Sequence, residues 1–488
     1  MSRLLAKSRF AGARLALATV LVASLSQNSG CDGAQQPLVV LISIDTLRAD
    51  HLGLYGAMRP TSPVLDALAR EGATFDDASA TSPWTLPSHA SLLTGLRPRV
   101  HGAVSKDHKL AERIDTLASL LFASGYDSAA VVNSTYLRRD TFGLTRGFLR
   151  IDYVEEDPSR AAPQRSVTDA ALRFLDDMRG QPAFLFVHYY DVHADYASLP
   201  EYESEFVTPY DGIADGTSGQ LFLANLHPGY VDRCAKAFSD ECRISDDVVI
   251  DATTARIRFD AEDARHLEEL YDAGVRQMDA EIGRFFEGLR ARGVYERALI
   301  IVTSDHGEEF LDHGQLEHSR SQYQEVIRVP LIVRGPGVPA GFRSSASVSL
   351  IDVAPTILRY AGAAIPTALR GLDLALLWSG EDPALFEKRL LFGEALGFRG
   401  PMNANRSIHS VRRGRYKLHF LRSGAIELFD LQRDPRERVD IAAREPEVVA
   451  RLLTRFKRVR QPGEPQAGGK PALSPEDEDR LRELGYVP

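Results

Sequence analysis

Residues 37–51, PLVVLISIDTLRADH, decide how the rest of the chain is read. From Pro37 to Ile44 the run is apolar almost without interruption, where a strand with one wet face would alternate with polar residues. It reads as a strand buried on both faces, the pattern of a parallel sheet covered by helices. Asp45 ends it, at the edge where open α/β sheets bind their ligands.

Working outward, Ser62-Pro63 supplies an N-cap and a first-turn proline for a helix through Arg70, stopped by Gly72. Further helices are expected over Ile114–Ser124, near Val167–Met178 and about Asp352–Tyr360. Strands are expected at Asp127–Val132, Ala183–His188, Ala298–Ser304 and Val329–Val333. The longest periodic segment starts near Asp260. Leu267, Leu270, Gly274, Met278, Ile282, Phe285 and Leu289 recur at three or four residues, as on a helix packed against a sheet. This alternation predicts an α/β fold with a large, mostly parallel sheet between helical layers. Residues 195–259, rich in Asp, Gly, Tyr and Pro, read as an irregular insertion in a catalytic domain spanning 37–380. Short strand-like pieces (Tyr416–Leu421, Ala425–Phe429) predict a small C-terminal subdomain with an antiparallel sheet over 381–460. A Pro/Gly linker and a helix capped by Ser474-Pro475 fill 461–488.

The chain has 488 residues, enough for a large core, and its 44% hydrophobic and 26% charged content is that of a globular protein. The net charge is −9 and no basic block stands out beyond the N-terminus, which argues against a nucleic-acid partner. Residues 1–31 differ in kind. Arg3, Lys7, Arg9 and Arg14 precede the uncharged run Leu15–Leu25, which fits the apolar part of a signal peptide and is too short to span a membrane. Export to the periplasm, the medium or the cell envelope is therefore expected. Cys31 follows Asn28-Ser29-Gly30; these small residues suit lipoprotein cleavage and membrane attachment through a lipidated Cys31, although Asn28 stands where an aliphatic residue is usual. Cys234 and Cys242 are close enough in sequence to close a loop in an oxidising compartment, with two free thiols as the alternative.

Three groups of chemically capable residues sit just past strand ends: Asp45, the His188–His193 loop and Asp305-His306 (IVTSDHGEEF). Two carboxylates and an imidazole are good ligands for a divalent cation. Thr85 lies in WTLPSHASLLTG, where Pro87 suits the first turn of a helix ending at Gly95. The dipole and N–H groups of that helix start favour a bound anion, and a cation on the hydroxyl would make it a nucleophile. A threonine there also serves as an ordinary cap, and any single aspartate as a cap elsewhere; the coincidence of the groups at one edge carries the reading.

The pieces IDTLRADHLGLYG, PTSPVLDALAREGATFDDA, TLPSHASLLTG, FLFVHYYDVHADY, the stretch from YDAGVRQMDAEIG to TSDHGEEF, QYQEVIRVPLIVRGPG, SLIDVAPTILRYAG, RRGRYKL and IELFDLQRDPRERVDIA occur in order along the chain. Together they resemble the sulfatase family of the alkaline phosphatase superfamily. The resemblance implies an alkaline-phosphatase-like fold and a metal-dependent hydrolase of sulfuric or phosphoric esters working through a covalent intermediate. It implies Asp45, Asp305, His306 and Thr85 as metal ligands, Thr85 as nucleophile, and His193 and His318 as histidines that contact or protonate the ester. Arg48, Asn133 and Arg320 are candidate substrate-binding residues, while His313, beside Gly314, is read as structural. The cofactor expected is one divalent cation, calcium or manganese, with His306 tilting toward manganese. The partner expected is an anionic small-molecule, glycan or lipid ester.

One motif departs from the family. The sulfatase motif Cys/Ser-x-Pro-x-Arg is here Thr85-Leu86-Pro87-Ser88-His89. Threonine has no route to the formylglycine made from Cys or Ser, so none is expected. A sulfated or phosphorylated threonine must be released by attack at sulfur or phosphorus, a displacement familiar for phosphorus. This shifts the balance toward phosphate, while the overall sequence resembles sulfatases more. The alternatives are a phosphodiesterase or phosphoglycerol-type transferase of the same superfamily, and a catalytically silent binding protein for anionic glycans or lipids.

Overall fold

A computed structural model describes residues 37–139, 141–155, 163–178, 181–225, 241–243, 249–251, 258–396, 407–459, 468–471 and 473–475. The first strand, β1 (Leu38–Ile44), is buried along its whole length. Alternate residues feed two separate cores. Val39 and Leu41 join the one containing helix Thr85–Thr94, and Leu38, Val40, Ile42 and Ile44 the one containing helix Ala261–Ala291. A strand with apolar side chains on both faces requires this double covering.

Seven more strands complete the sheet: β2 (Ala73–Phe75), β3 (Asp127–Val132), β4 (Arg150–Tyr153), β5 (Ala183–Tyr189), β6 (Ala298–Ser304), β7 (Leu331–Arg334) and β8 (Phe342–Ser344), in the order β8-β2-β7-β6-β1-β5-β3-β4. β1 runs parallel to both β5 and β6, with Ile44 opposite Tyr189 and Ser304. β3 is parallel to β5. The chain therefore leaves four central strands at one edge, which places Asp45, Asn133, Tyr190 and Asp305 side by side. β7, expected as a strand without an assigned direction, pairs antiparallel with β6 and with β2. A parallel return needs a crossover to the opposite edge; residues 305–330 stay at the site edge instead and re-enter the sheet from there.

Helix α1 (Pro63–Glu71) and the long α4 (Ala261–Ala291) sit on one face with α3 (Pro163–Asp177); α2 (Thr85–Thr94) and α5 (Val353–Tyr360) cover the other. Asp260 starts α4 with a capping box through Asp263. Buried Asp279 on α4 accepts hydrogen bonds from the Val64 and Leu65 amides at 2.9 Å each, capping α1 from a neighbouring helix. Within 195–259, expected to be irregular, the described residues include helices Pro200–Phe206 and Ser218–Ala224 and a short hairpin. Four antiparallel strands, β9 (Leu391–Glu394), β10 (Ser407–Arg413), β11 (Tyr416–Leu421) and β12 (Ile426–Asp430), form the C-terminal sheet. Helix α6 (Pro446–Val459) packs Val448, Leu452 and Phe456 on its Val411, Leu418 and Leu428. No described helix is long and apolar enough to cross a membrane. The expectations for residues 1–31 with Cys31, for the helix after Pro475 and for the Cys234–Cys242 pair, through Cys234, lie outside the described residues.

Candidate active site

At the edge shared by β1 and β6, Asp45, Asp305 and His306 are fully buried and offer ligand atoms within 4.8 Å of one another. His306 Nε2 stands 3.2 Å from Asp305 Oδ2 and 3.6 Å from Asp45 Oδ1. Its Nδ1 lies 3.0 Å from the Gly307 carbonyl, and a proton donated there leaves the Nε2 lone pair facing the carboxylates. Asp305 Oδ1 accepts from the Thr46 and His306 amides at 3.3 and 3.0 Å. Burial, and next the Asp45 carboxylate, push the Asp305 carboxyl well above its usual range. Burial holds the His306 imidazole well below its usual value, in the neutral form that ligates metals. Two buried like charges beside an imidazole lone pair fit a divalent cation, which would offset the repulsion.

Thr85 is the first residue of α2, a helix buried throughout and ended by Gly95 at φ 66°. Thr85 Oγ1 comes to 3.5 Å from His306 Nε2. Ser88 Oγ donates to the Asp305 carbonyl at 2.6 Å, fastening α2 to the end of β6. One turn beyond Thr85, His89 Nδ1 lies 3.0 Å from the Thr85 carbonyl and 3.3 Å from Asp305 Oδ2, and Nε2 lies 3.0 Å from Ser43 Oγ. His188 stands opposite, with Nε2 3.3 Å from Asp45 Oδ2 and the two rings edge-on at 4.9 Å.

His318 and His193 extend the row of imidazoles. The His318 ring centre is 4.4 Å from that of His306 and 5.0 Å from that of His193. His318 Nδ1 lies 2.9 Å from Glu308 Oε1, and burial lowers its pKa to about 3. His193 stacks on Tyr190, its Nδ1 2.9 Å from the phenol oxygen and 2.6 Å from the Ala194 carbonyl, with burial lowering it to about 4.

The three candidate substrate-binding residues are placed differently. Arg48 is buried with its guanidinium on both oxygens of Asp50, on Asp312 and on the Glu308 carbonyl, the arrangement of a structural ion pair. It lines a cavity of about 820 Å³ that also takes in Asp76, Arg328 and Arg412 and that Thr85 does not touch. Arg320 Nη1 donates to Glu317 and to the Leu316 carbonyl of its own loop. Asn133 reaches the site through His188, whose Nδ1 lies 3.1 Å from Asn133 Oδ1. His313 bonds Glu325 and the Glu437 carbonyl and stacks on Tyr323, a structural role as expected. Sequence reasoning left His89, His188 and Glu308 without roles. His89 was signalled by its spacing of four from Thr85; the other two become visible once neighbouring strands are aligned. Thr46 was missed as well: it has φ 55° and a buried Oγ1 without a hydrogen-bond partner among the described residues.

The sequence matches the family profile described as Sulfatase over residues 37–363. The chain belongs to the sulfatase family. A second profile, N-sulphoglucosamine sulphohydrolase, C-terminal, matches residues 312–462 and includes the C-terminal sheet. Arylsulfatase K of Mus musculus is 25% identical over 485 residues, covering 91% of this chain and 83% of the relative. The solved phosphonate monoester hydrolase of Agrobacterium radiobacter has a TM-score of 0.67 at 23% identity, over 87% of this chain and 95% of that one. A solved 2-O GAG sulfatase has a TM-score of 0.67 at 20% identity, over 87% and 92%. The fold is thus that of the alkaline phosphatase superfamily, and this sulfatase is an ester hydrolase.

Proposed function

We propose that this sulfatase hydrolyses a sulfuric or phosphoric ester through a covalent intermediate on Thr85, with one divalent cation held by Asp45, Asp305, His306 and the Thr85 hydroxyl. The observation that carries the reading is the placement of Thr85 Oγ1 at a buried helix start, 3.5 Å from the Nε2 of a histidine flanked by two carboxylates. The cation, when bound, lowers the pKa of the hydroxyl and offsets charge on the transferred group; manganese suits a mixed oxygen and imidazole shell, with calcium as the alternative. Thr85 Oγ attacks the central sulfur or phosphorus, and the bond to the leaving oxygen breaks. His193 or His318, neutral before the reaction, takes up the proton that the Thr85 hydroxyl loses and passes it to that oxygen. Water then attacks the same central atom, returning the Thr85 hydroxyl and releasing the inorganic anion. Amide groups at the start of α2 face the negative charge that develops.

The glycan is the favoured alcohol part, by analogy with the structural neighbour named as a GAG sulfatase; a lipid ester is the alternative. Phosphodiester cleavage is the second reading of the chemistry, because a threonine ester must be released at the central atom. Export through residues 1–31, with attachment at Cys31, belongs to the same proposal and is read by the mass and N-terminus of the mature protein. Parallel rates on sulfate monoesters, phosphate monoesters and phosphodiesters, with the trapped adduct located by mass, test the chemistry. Thr85→Ala is expected to abolish the adduct and lower kcat by on the order of 10³-fold or more. Undiminished turnover in that variant on every substrate would refute the assignment, and tight metal binding without turnover would favour a binding protein.

A further inference from the structure

His318 stands on backbone that its sequence does not favour. Leu311, Glu317 and Ser319 have φ of 62°, 61° and 74°, and none is glycine. A Cβ disfavours that left-handed region, and such conformations persist where the surroundings over-determine them. Within the catalytic domain the Ser319 amide is tied to the Pro83 carbonyl at 2.8 Å, two residues before Thr85. His318 Nδ1 also meets Glu308, Ser321 Oγ donates to Glu309 and the Leu316 amide donates to Asn225. Further ties come from the C-terminal segment. Glu437, buried and itself at φ 53°, accepts the Gln324 amide at 2.8 Å, Lys417 Nζ at 3.0 Å and His419 Nε2 at 3.1 Å. Its backbone carbonyl lies 3.0 Å from His313 Nε2. Buried Lys417 also donates to the Gln322 carbonyl at 2.5 Å. Gly393 presses on the same loop: a Cβ there would lie 2.1 Å from Gln322 Oε1.

We propose that Lys417 and Glu437 are positioning residues, which clamp residues 313–324 onto the C-terminal sheet and so set where His318 stands relative to His306 and Thr85. An apolar pair would fill the same space, and buried ion pairs often contribute little net stability. A carboxylate at this point does what an apolar pair cannot: it accepts several donors from fixed directions and fixes the path of the loop. The inference rests on His318 acting at the Thr85 site, so its test has an arm that does not need turnover.

That arm is amide hydrogen exchange of the full chain loaded with Mn²⁺. Glu437→Gln and Lys417→Met are expected to speed exchange in residues 313–325 by about tenfold or more, with the central strands unchanged. In the same variants kcat should fall by on the order of tenfold to a hundredfold, while KM and Mn²⁺ affinity stay within about twofold. Phe456→Leu, which loosens the C-terminal core without touching the clamp, should lower Tm and leave kcat in place. The double variant Lys417→Met/Glu437→Leu removes both buried charges; its Tm should recover toward wild type and its kcat should not. Unchanged exchange in 313–325 would overturn the clamp, as would recovery of kcat with Tm in the double variant. An equal kcat loss in Phe456→Leu would do the same. A wild-type protein that turns over no ester would instead sink the ester-hydrolase reading, leaving the exchange arm to judge the clamp. If a single variant does not fold, the double variant carries the comparison.

Discussion

Gly307→Ala probes how His306, a proposed metal ligand, is set. A Cβ at Gly307 would lie 2.0 Å from the Glu325 carbonyl oxygen and 3.2 Å from Arg48 Cγ. Ordinary contact begins near 3.4 Å, so backbone must move by about 1.4 Å (3.4 − 2.0). Neither side yields easily. The Gly307 amide bonds the Val326 carbonyl at 2.6 Å, and the Glu308 amide bonds Glu325 itself. Overpacking of this kind costs about 1–3 kcal/mol. If Gly307 moves instead, its own carbonyl, 3.0 Å from His306 Nδ1, moves with it. Loss of such an orienting bond costs roughly 10–100-fold in metal affinity. Denaturant unfolding of the chelated protein reads the first effect and calorimetric titration with Mn²⁺ the second. A variant that unfolds within about 0.5 kcal/mol of wild type and binds Mn²⁺ as tightly would refute both steps.

Three further outcomes are expected. Chelation leaves the buried Asp45 and Asp305 carboxyls within 4.8 Å of each other without a counter-ion, and burial with the Asp45 charge favours the protonated form of Asp305; Mn²⁺ should therefore raise Tm, and identical melting of chelated and Mn²⁺-loaded protein would contradict it. The Lys417 ammonium and the His419 donor overcome burial to draw the Glu437 carboxyl down from 4.5 to about 2. A depressed folded pKa gives stability that is present above about pH 4.5 and lost as pH falls toward 2, roughly 3 kcal/mol in all. Glu437→Gln should therefore flatten the stability of the protein against pH across that window, and an unchanged acid slope would count against the ion pair. Asp279→Ala removes the acceptor of two α1 amides and should cost about 2 kcal/mol, measured by denaturant unfolding; a cost under about 0.5 kcal/mol would mean that Ser62-Pro63 suffices to start the helix.

The large sheet was legible because its strands are locally coded. An all-apolar run such as Leu38–Ile44 needs cover on both faces wherever it is placed, and Asp127–Val132 and Ala298–Ser304 were read with the ends observed. The direction of β7 was not, because a strand's pattern of burial is the same in either direction and the path of residues 305–330 decides it. At the site, Asp45, Thr85, Asp305 and His306 were named from the ends of elements and from motif resemblance. Their meeting depends on parallel registers that bring Ile44 opposite Ser304 across 260 residues of chain.

Sequence by itself determined the inventory: a double-covered sheet, an edge carrying Asp45 and Asp305-His306, and Thr85 at the start of a helix. These follow from local periodicity and from residue identity. Tertiary structure decided how the inventory is used. Arg48, an eligible anion binder by charge, is taken up by Asp50 and Asp312, and Asn133 stands behind His188. Lys417 lay in a recognised motif with no role until folding put it against Glu437 and Gln322. Charge and hydrogen-bonding capacity are written in a side chain; the partners that satisfy them inside a low-dielectric core are set by which distant segments the fold brings within about 3 Å.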